Sequence, residues 1–150
     1  YIDEEKYREL VRFSVNKDDF IVSCSGTIGE IYRIPTDYEE GVINQALLKL
    51  TINKDVCDLS FFNHYFNWES FQSRIIDDTQ GGAMKNLVGM DIFRKTSISV
   101  PSNSTEQQAI AEILTSMDEE IEHLEQEKEK YIDLKSGAMD DLLTGKIRLI

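Results

Sequence analysis

The sequence predicts an α+β protein: a small mixed-sheet domain over residues 1–103, then a C-terminal segment over residues 104–150 built on one long helix. Three observations carry this expectation. Short apolar runs bounded by turn residues recur between residues 20 and 52, which is the signature of strands. Aromatic residues stand at helical spacing over residues 58–76. From Ile110 onward apolar residues step by four and three, the seam of a coiled coil.

The elements follow in order. Charged residues surround Tyr7, Leu10 and Val11 over residues 3–13, which suits a short amphipathic helix. Residues 15–19 supply a turn, and Phe20-Ile21-Val22 is a strand. Gly26 and Gly29, three apart, support a bend into a second strand over residues 30–34, where polar and apolar residues alternate. Residues 35–41 form an acidic connection, and residues 42–52 read as one long strand or two joined by a bend. The sheet is expected to hold three or more strands.

Phe62, Tyr65, Phe66, Phe71 and Ile75 then form a buried helical stripe. Gly81-Gly82 opens a polar-tipped loop through Lys85-Asn86-Leu87, a short turn follows at residues 90–93, and Ile98-Ser99-Val100 before Pro101 reads as a last strand. Ser104 with Gln107 three residues later fits a capping box at the start of the long helix. The seam runs through Ile110, Leu114, Met117, Ile121 and Leu124, then Lys128, Tyr131, Lys135, Ala138 and Leu142. Lysines on a seam cost stability but select register and partner. Gly145 is placed to terminate the helix. Some 40 residues at about 1.5 Å each make a rod of roughly 60 Å, which needs a partner helix.

Composition narrows the function. The chain has 150 residues, 41% hydrophobic and 29% charged, with 8 Gly and 2 Pro, which excludes low-complexity and wholly disordered classes. No apolar run approaches the roughly 18 residues of a membrane span, and no basic-then-apolar leader opens the chain, so the expected location is cytoplasmic. Cys24 and Cys57 are then expected to be reduced, partly buried thiols.

Net charge is −12, which argues against a free-standing nucleic-acid binder. The charge is unevenly spread: residues 1–105 carry 11 Lys or Arg against 16 Asp or Glu, and residues 106–150 carry 5 against 12. Any DNA-facing surface must lie in the first two thirds.

Catalytic patterns are missing. With Pro35 and Pro101 the only prolines, the Asn- or Asp-Pro-Pro-aromatic run of amino-methylating enzymes is impossible. Gly26-Thr27-Ile28-Gly29 lacks the third glycine of a dinucleotide loop and the Lys-Ser/Thr ending of a P-loop. His64, His123 and the two cysteines lack metal-ligand spacing, and adjacent acids such as Asp77-Asp78 and Asp140-Asp141 read as solvated charge. No catalytic residue, metal or cofactor is expected.

The run Ile98-Ser99-Val100-Pro101, the stretch Glu106-Gln107-Gln108-Ala109-Ile110-Ala111-Glu112-Ile113-Leu114, and the segments Leu134-Lys135-Ser136-Gly137-Ala138-Met139 and Leu142-Leu143-Thr144-Gly145-Lys146-Ile147-Arg148 carry a resemblance. So do Asp19-Phe20-Ile21-Val22 with the two glycines, Gly41-Val42-Ile43-Asn44-Gln45, and Gly81-Gly82 with Lys85-Asn86-Leu87. Together they resemble a target-recognition domain and the following helix in the specificity subunits of type I restriction-modification enzymes. In that family one polypeptide carries two such domains, each reading half of a split DNA target. Their helices pack antiparallel as a ruler and dock the methyltransferase subunits. The resemblance covers one domain and one helix, half of such a subunit. It implies double-stranded DNA, methyltransferase subunits and, through them, restriction subunits as partners, with a homodimer formed through antiparallel helices.

The residues expected to touch DNA are Ser25, Thr27, Arg33, Asn44, Gln45, Lys85 and Asn86. Arg matches guanine and Asn or Gln adenine, while Lys, Ser and Thr commonly bond phosphates. Lys85, after two glycines, is the best phosphate candidate. Asn44 and Gln45 equally suit a hydrogen-bonded turn, and Arg33 an exposed strand position. A second reading stays open at this point: a coiled-coil assembly protein without base-specific DNA binding.

Overall fold

The computed structural model describes residues 3–77 and 86–150. Two compact units are present, residues 1–111 and residues 112–150.

In the first unit α1 (Glu4–Leu10) is capped by Asp3, whose side chain accepts from the Lys6 amide, and it tightens into a 3-10 turn over Val11–Phe13. Strands β1 (Phe20–Ser23), β2 (Ile31–Arg33) and β3 (Leu47–Leu50) form an antiparallel sheet in the order β2-β1-β3. Phe20 pairs with both Arg33 and Leu50, and Val22 with Ile31 and Leu48. Alternation puts Phe20 and Val22 on the buried face, as a strand's period of two requires.

The aromatic stripe packs on that face. It is two helices, α2 (Leu59–Asn67) and α3 (Glu69–Ile75), because Trp68 adopts an extended ψ of 126° between them. Asp58 caps α2 by accepting from the Ser60 and Phe61 amides. Phe62 meets Phe20 edge-on at 5.1 Å, and Phe66 stands 5.8 Å from Phe62 and 5.4 Å from Phe71. Buried Phe20, Phe62, Phe66, Phe71 and Ile75 form the centre of the core, with Tyr65 partly buried against it. Each such side chain contributes about 1.5–3 kcal/mol.

Several expectations are corrected. Of residues 42–52 only Leu47–Leu50 pair as a strand, while Val42 makes a single bridge to Ser14. Ile98-Ser99-Val100 joins no described strand: the Ser99 amide donates to the Tyr65 hydroxyl, and Ile98 and Val100 pack on the core. The short turn at residues 90–93 is one helical turn, α4 (Met90–Phe93). A two-residue ladder joins β4 (Ile76–Asp77) and β5 (Asn86–Leu87). Gly81-Gly82 and Lys85 lie outside the described residues.

The long helix, α5, spans Ser104–Leu143. The capping box does not form. Asn103 instead accepts from the Thr105 amide through its side chain and from the Gln107 amide through its carbonyl. Gln107 is drawn inward, 2% exposed, where Nε2 donates to the Val56 and Pro101 carbonyls and Oε1 accepts from the Asp58 amide. With Ala111 buried one turn later, the two units divide inside the helix, after residue 111. At its end Gly145 adopts φ 72° and donates to the Leu142 carbonyl, as expected of a terminating glycine.

Candidate nucleic-acid interface

One end of the sheet collects four of the predicted residues. The Cys24 amide donates to the Ala46 carbonyl at 2.8 Å, which fastens the loop leaving β1 to the turn entering β3. Ser25 and Thr27 stand exposed on the first, Asn44 and Gln45 on the second. Asn44 Oδ1 accepts from the Ala46 amide at 2.9 Å, the side-chain-mimicked turn that this residue type favours. Thr27 Oγ1 donates to Glu30 Oε2 at 2.8 Å, and Ser23 Oγ donates to the Thr27 carbonyl, so the loop is internally bonded. The Ser25 and Gln45 side chains make no hydrogen bond among the described residues.

Gly26 and Gly29 both take positive φ, 77° and 84°, which glycine adopts without Cβ strain. Their surroundings differ. A Cβ on Gly26 would meet open space, whereas one on Gly29 would stand 2.5 Å from Gln72 Oε1 and 3.1 Å from Ile76 Cδ1. Gln72 Nε2 donates to the Gly29 and Phe66 carbonyls, so α3 holds the loop directly. Ile76 also begins the ladder that pairs Asp77 with Asn86, which brings exposed Asn86 to the same neighbourhood.

Arg33 is elsewhere. It pairs with Phe20 at the start of β1, whereas the loop leaves from Ser23 at its end. Its Nε and Nη2 donate to Asp18 Oδ1 at 3.0 and 2.5 Å, and Lys54 Nζ donates to Asp18 Oδ2 at 2.7 Å. The Lys54 ammonium, then the Arg33 guanidinium, hold the Asp18 carboxyl down at about 2. Asp18 itself takes φ 69°, uncommon for a side-chain-bearing residue. Beside it the Asp19 carboxylate accepts from Thr51 Oγ1 at 2.6 Å and from the Asn16 amide at 2.8 Å. Sequence reasoning missed Asp18, Lys54 and the bonds of Gln107. The Asp18-Asp19 doublet had only the appearance of a turn, and nothing near Lys54 in sequence names its partner.

Both thiols are free, and burial pushes the ionisation of Cys24 and Cys57 up, with Asp58 adding to it at Cys57. Along the helix Ile110 packs against the core of the first unit. In the second unit the seam residues Leu114, Met117, Ile121, Leu124, Tyr131 and Leu142 lie between 38% and 62% exposed, and Lys128, Lys135 and Ala138 are exposed with them. No helix among the described residues is long and apolar enough to cross a membrane.

Residues 2–132 match the family described as the type I restriction modification DNA specificity domain, and the chain belongs to that family. Among its relatives is the MjaX type I restriction enzyme specificity subunit assigned in Methanocaldococcus jannaschii, 30% identical over 135 residues. That match covers 90% of this chain and 30% of the relative's length.

Proposed function

We propose that the chain reads one half of a bipartite DNA target and directs adenine methylation and restriction by partner subunits, with no catalytic group of its own. The observation that carries this is the convergence of Ser25, Thr27, Asn44 and Gln45 on two hydrogen-bonded loops at one end of the sheet. Ser and Thr there bond phosphates or base edges, and Asn or Gln matches adenine. Asn86 extends the surface, and Lys85, its neighbour in the sequence, is proposed as a phosphate contact. The exposed seam from Leu114 to Leu142 receives a second helix, supplied by another copy of the chain in antiparallel orientation. Domain and helix divide the work: residues 1–103 read DNA, and residues 104–150 dimerise and dock methyltransferase subunits, in the cytoplasm.

The test is co-expression with its cognate methyltransferase subunit, followed by mapping of methyladenine across the host genome. A new motif of two inverted half-sites around a constant gap supports both reading and homodimerisation. A soluble complex that leaves no new methylation refutes the reading function.

A further inference from the structure

The two described loops of the proposed base-reading end carry no positive charge. No Lys or Arg occurs between Lys17 and Arg33, or between Arg33 and Lys49, so the described loops 24–30 and 41–46 carry none. Affinity for duplex DNA depends on neutralised phosphates, and these loops cannot supply it. Cations gather at the opposite end of the sheet. The two oxygens of one carboxylate, Asp18, hold Arg33 and Lys54 side by side. The carboxylate is buried, at 9% exposure, while the cations stand 43% and 60% exposed. With Asp18 and the neighbouring Asp19 both counted the four charges balance, but the two carboxylates are buried while the two cations reach solvent. The neighbouring Asp19 is 2% exposed and already accepts from Thr51 and Asn16.

Donors remain available. Arg33 spends Nε and one Nη2 hydrogen on Asp18, which leaves three guanidinium hydrogens of its five. Lys54 keeps two of three. With the side chains pinned in advance, less rotamer entropy remains to be lost when an anion arrives.

The spacing also fits. From Phe20, beside Arg33, to Ser23, where the loop leaves, β1 rises about 10 Å. The major groove is about 8.5 Å deep. The loop tips lie beyond Ser23, so the cluster stands farther from them than the groove is deep and meets backbone outside the groove that the loops enter.

Resting on the DNA-reading function above, we infer that Arg33 and Lys54, held together by Asp18, form a phosphodiester clamp on the DNA backbone that flanks the half-site. Arg33 then positions the domain and does not read a base.

Binding of the chain, in complex with its methyltransferase subunit, is measured by fluorescence anisotropy between 50 and 200 mM salt. Two probes are used: a duplex carrying the mapped target and an unrelated duplex. Lys54→Ala is expected to flatten the slope of log affinity against log salt by about 0.9 and to weaken both duplexes in the same proportion. Lys54→Arg restores the slope. Arg33→Ala flattens it likewise, and urea unfolding of each variant separates charge from stability. An unchanged slope with lowered stability makes the cluster a structural staple and overturns the inference. Weakening confined to the target duplex overturns it too, because it would mean base readout. If the unsubstituted complex binds neither duplex, the DNA-reading function itself fails, and the clamp with it.

Discussion

Replacing Gly29 by Ala, with Gly26→Ala as its partner experiment, isolates how the loop of Ser25 and Thr27 is held. Both glycines occupy left-handed backbone, φ 84° and 77°, so alanine pays about 1–2 kcal/mol at either position. Reduced freedom of the unfolded chain returns about 0.4–1 kcal/mol in both cases. Only at Gly29 does the new methyl collide, 2.5 Å from Gln72 Oε1. The carboxamide is the end of a flexible side chain and can swing away, but doing so breaks its bonds to the Phe66 carbonyl at 2.7 Å and the Gly29 carbonyl at 3.3 Å. At about 1 kcal/mol for each bond, Gly29→Ala should lose about 2 kcal/mol more than Gly26→Ala. Urea unfolding followed by circular dichroism reads the difference as a lower midpoint at unchanged slope. Equal losses in the two variants would refute the reasoning, because they would leave only the shared backbone strain. DNA binding follows the same order: Gly29→Ala frees the loop from α3 and lowers affinity more than Gly26→Ala.

Gln107→Ala removes three hydrogen bonds from a buried position and should cost about 3 kcal/mol in urea unfolding, whereas exposed Gln108→Ala should stay within about 0.5; comparable losses at both would contradict the buried clamp. Asp18 ionises near 2 in the folded chain against 3.8 ordinarily, so the stability it contributes is complete above about pH 4 and fades as pH falls through 2. Acid unfolding of Asp18→Asn should accordingly be shallower across that window, and superimposable curves would dismiss the linkage. Met117→Glu combined with Ile121→Glu removes two seam residues, each worth about 1.5–3 kcal/mol when buried, and should weaken self-association more than 100-fold in sedimentation equilibrium. A dimer that survives both changes pairs through another surface.

Periodicity made much of this protein legible. Phe20 and Val22 alternate into the core, Phe62 and Phe66 on α2 and Phe71 and Ile75 on α3 line the same core, and apolar steps from Ile110 to Leu124 mark α5. These patterns record which face avoids water, and that is a local property of the chain. Gly26, Gly29 and Gly145 were legible for a similar reason, since their left-handed backbone belongs to single residues. The candidate loops could be named but not assembled: the Cys24–Ala46 bond, which brings the loop of Ser25 and Thr27 beside that of Asn44 and Gln45, joins residues with no sequence relation.

Long-range polar pairing was the part that only tertiary structure decided. Gln107 had the spacing of a capping residue, yet the carbonyls of Val56 and Pro101 and the amide of Asp58 needed partners inside, and burial favours satisfying them over a solvent-exposed cap. Ile98-Ser99-Val100 had the look of a strand, but its Ser99 amide is satisfied by the Tyr65 hydroxyl. Arg33 was drawn to Asp18 from 15 residues away and Lys54 from 36, which turned a candidate base reader into one arm of an ion cluster. The sequence by itself determined which residues leave water and where the helices and central strands run, because hydrophobic periodicity is written residue by residue. Which polar groups meet was decided only by the tertiary structure, since a hydrogen bond requires two particular atoms within about 3 Å, and the fold alone sets that distance.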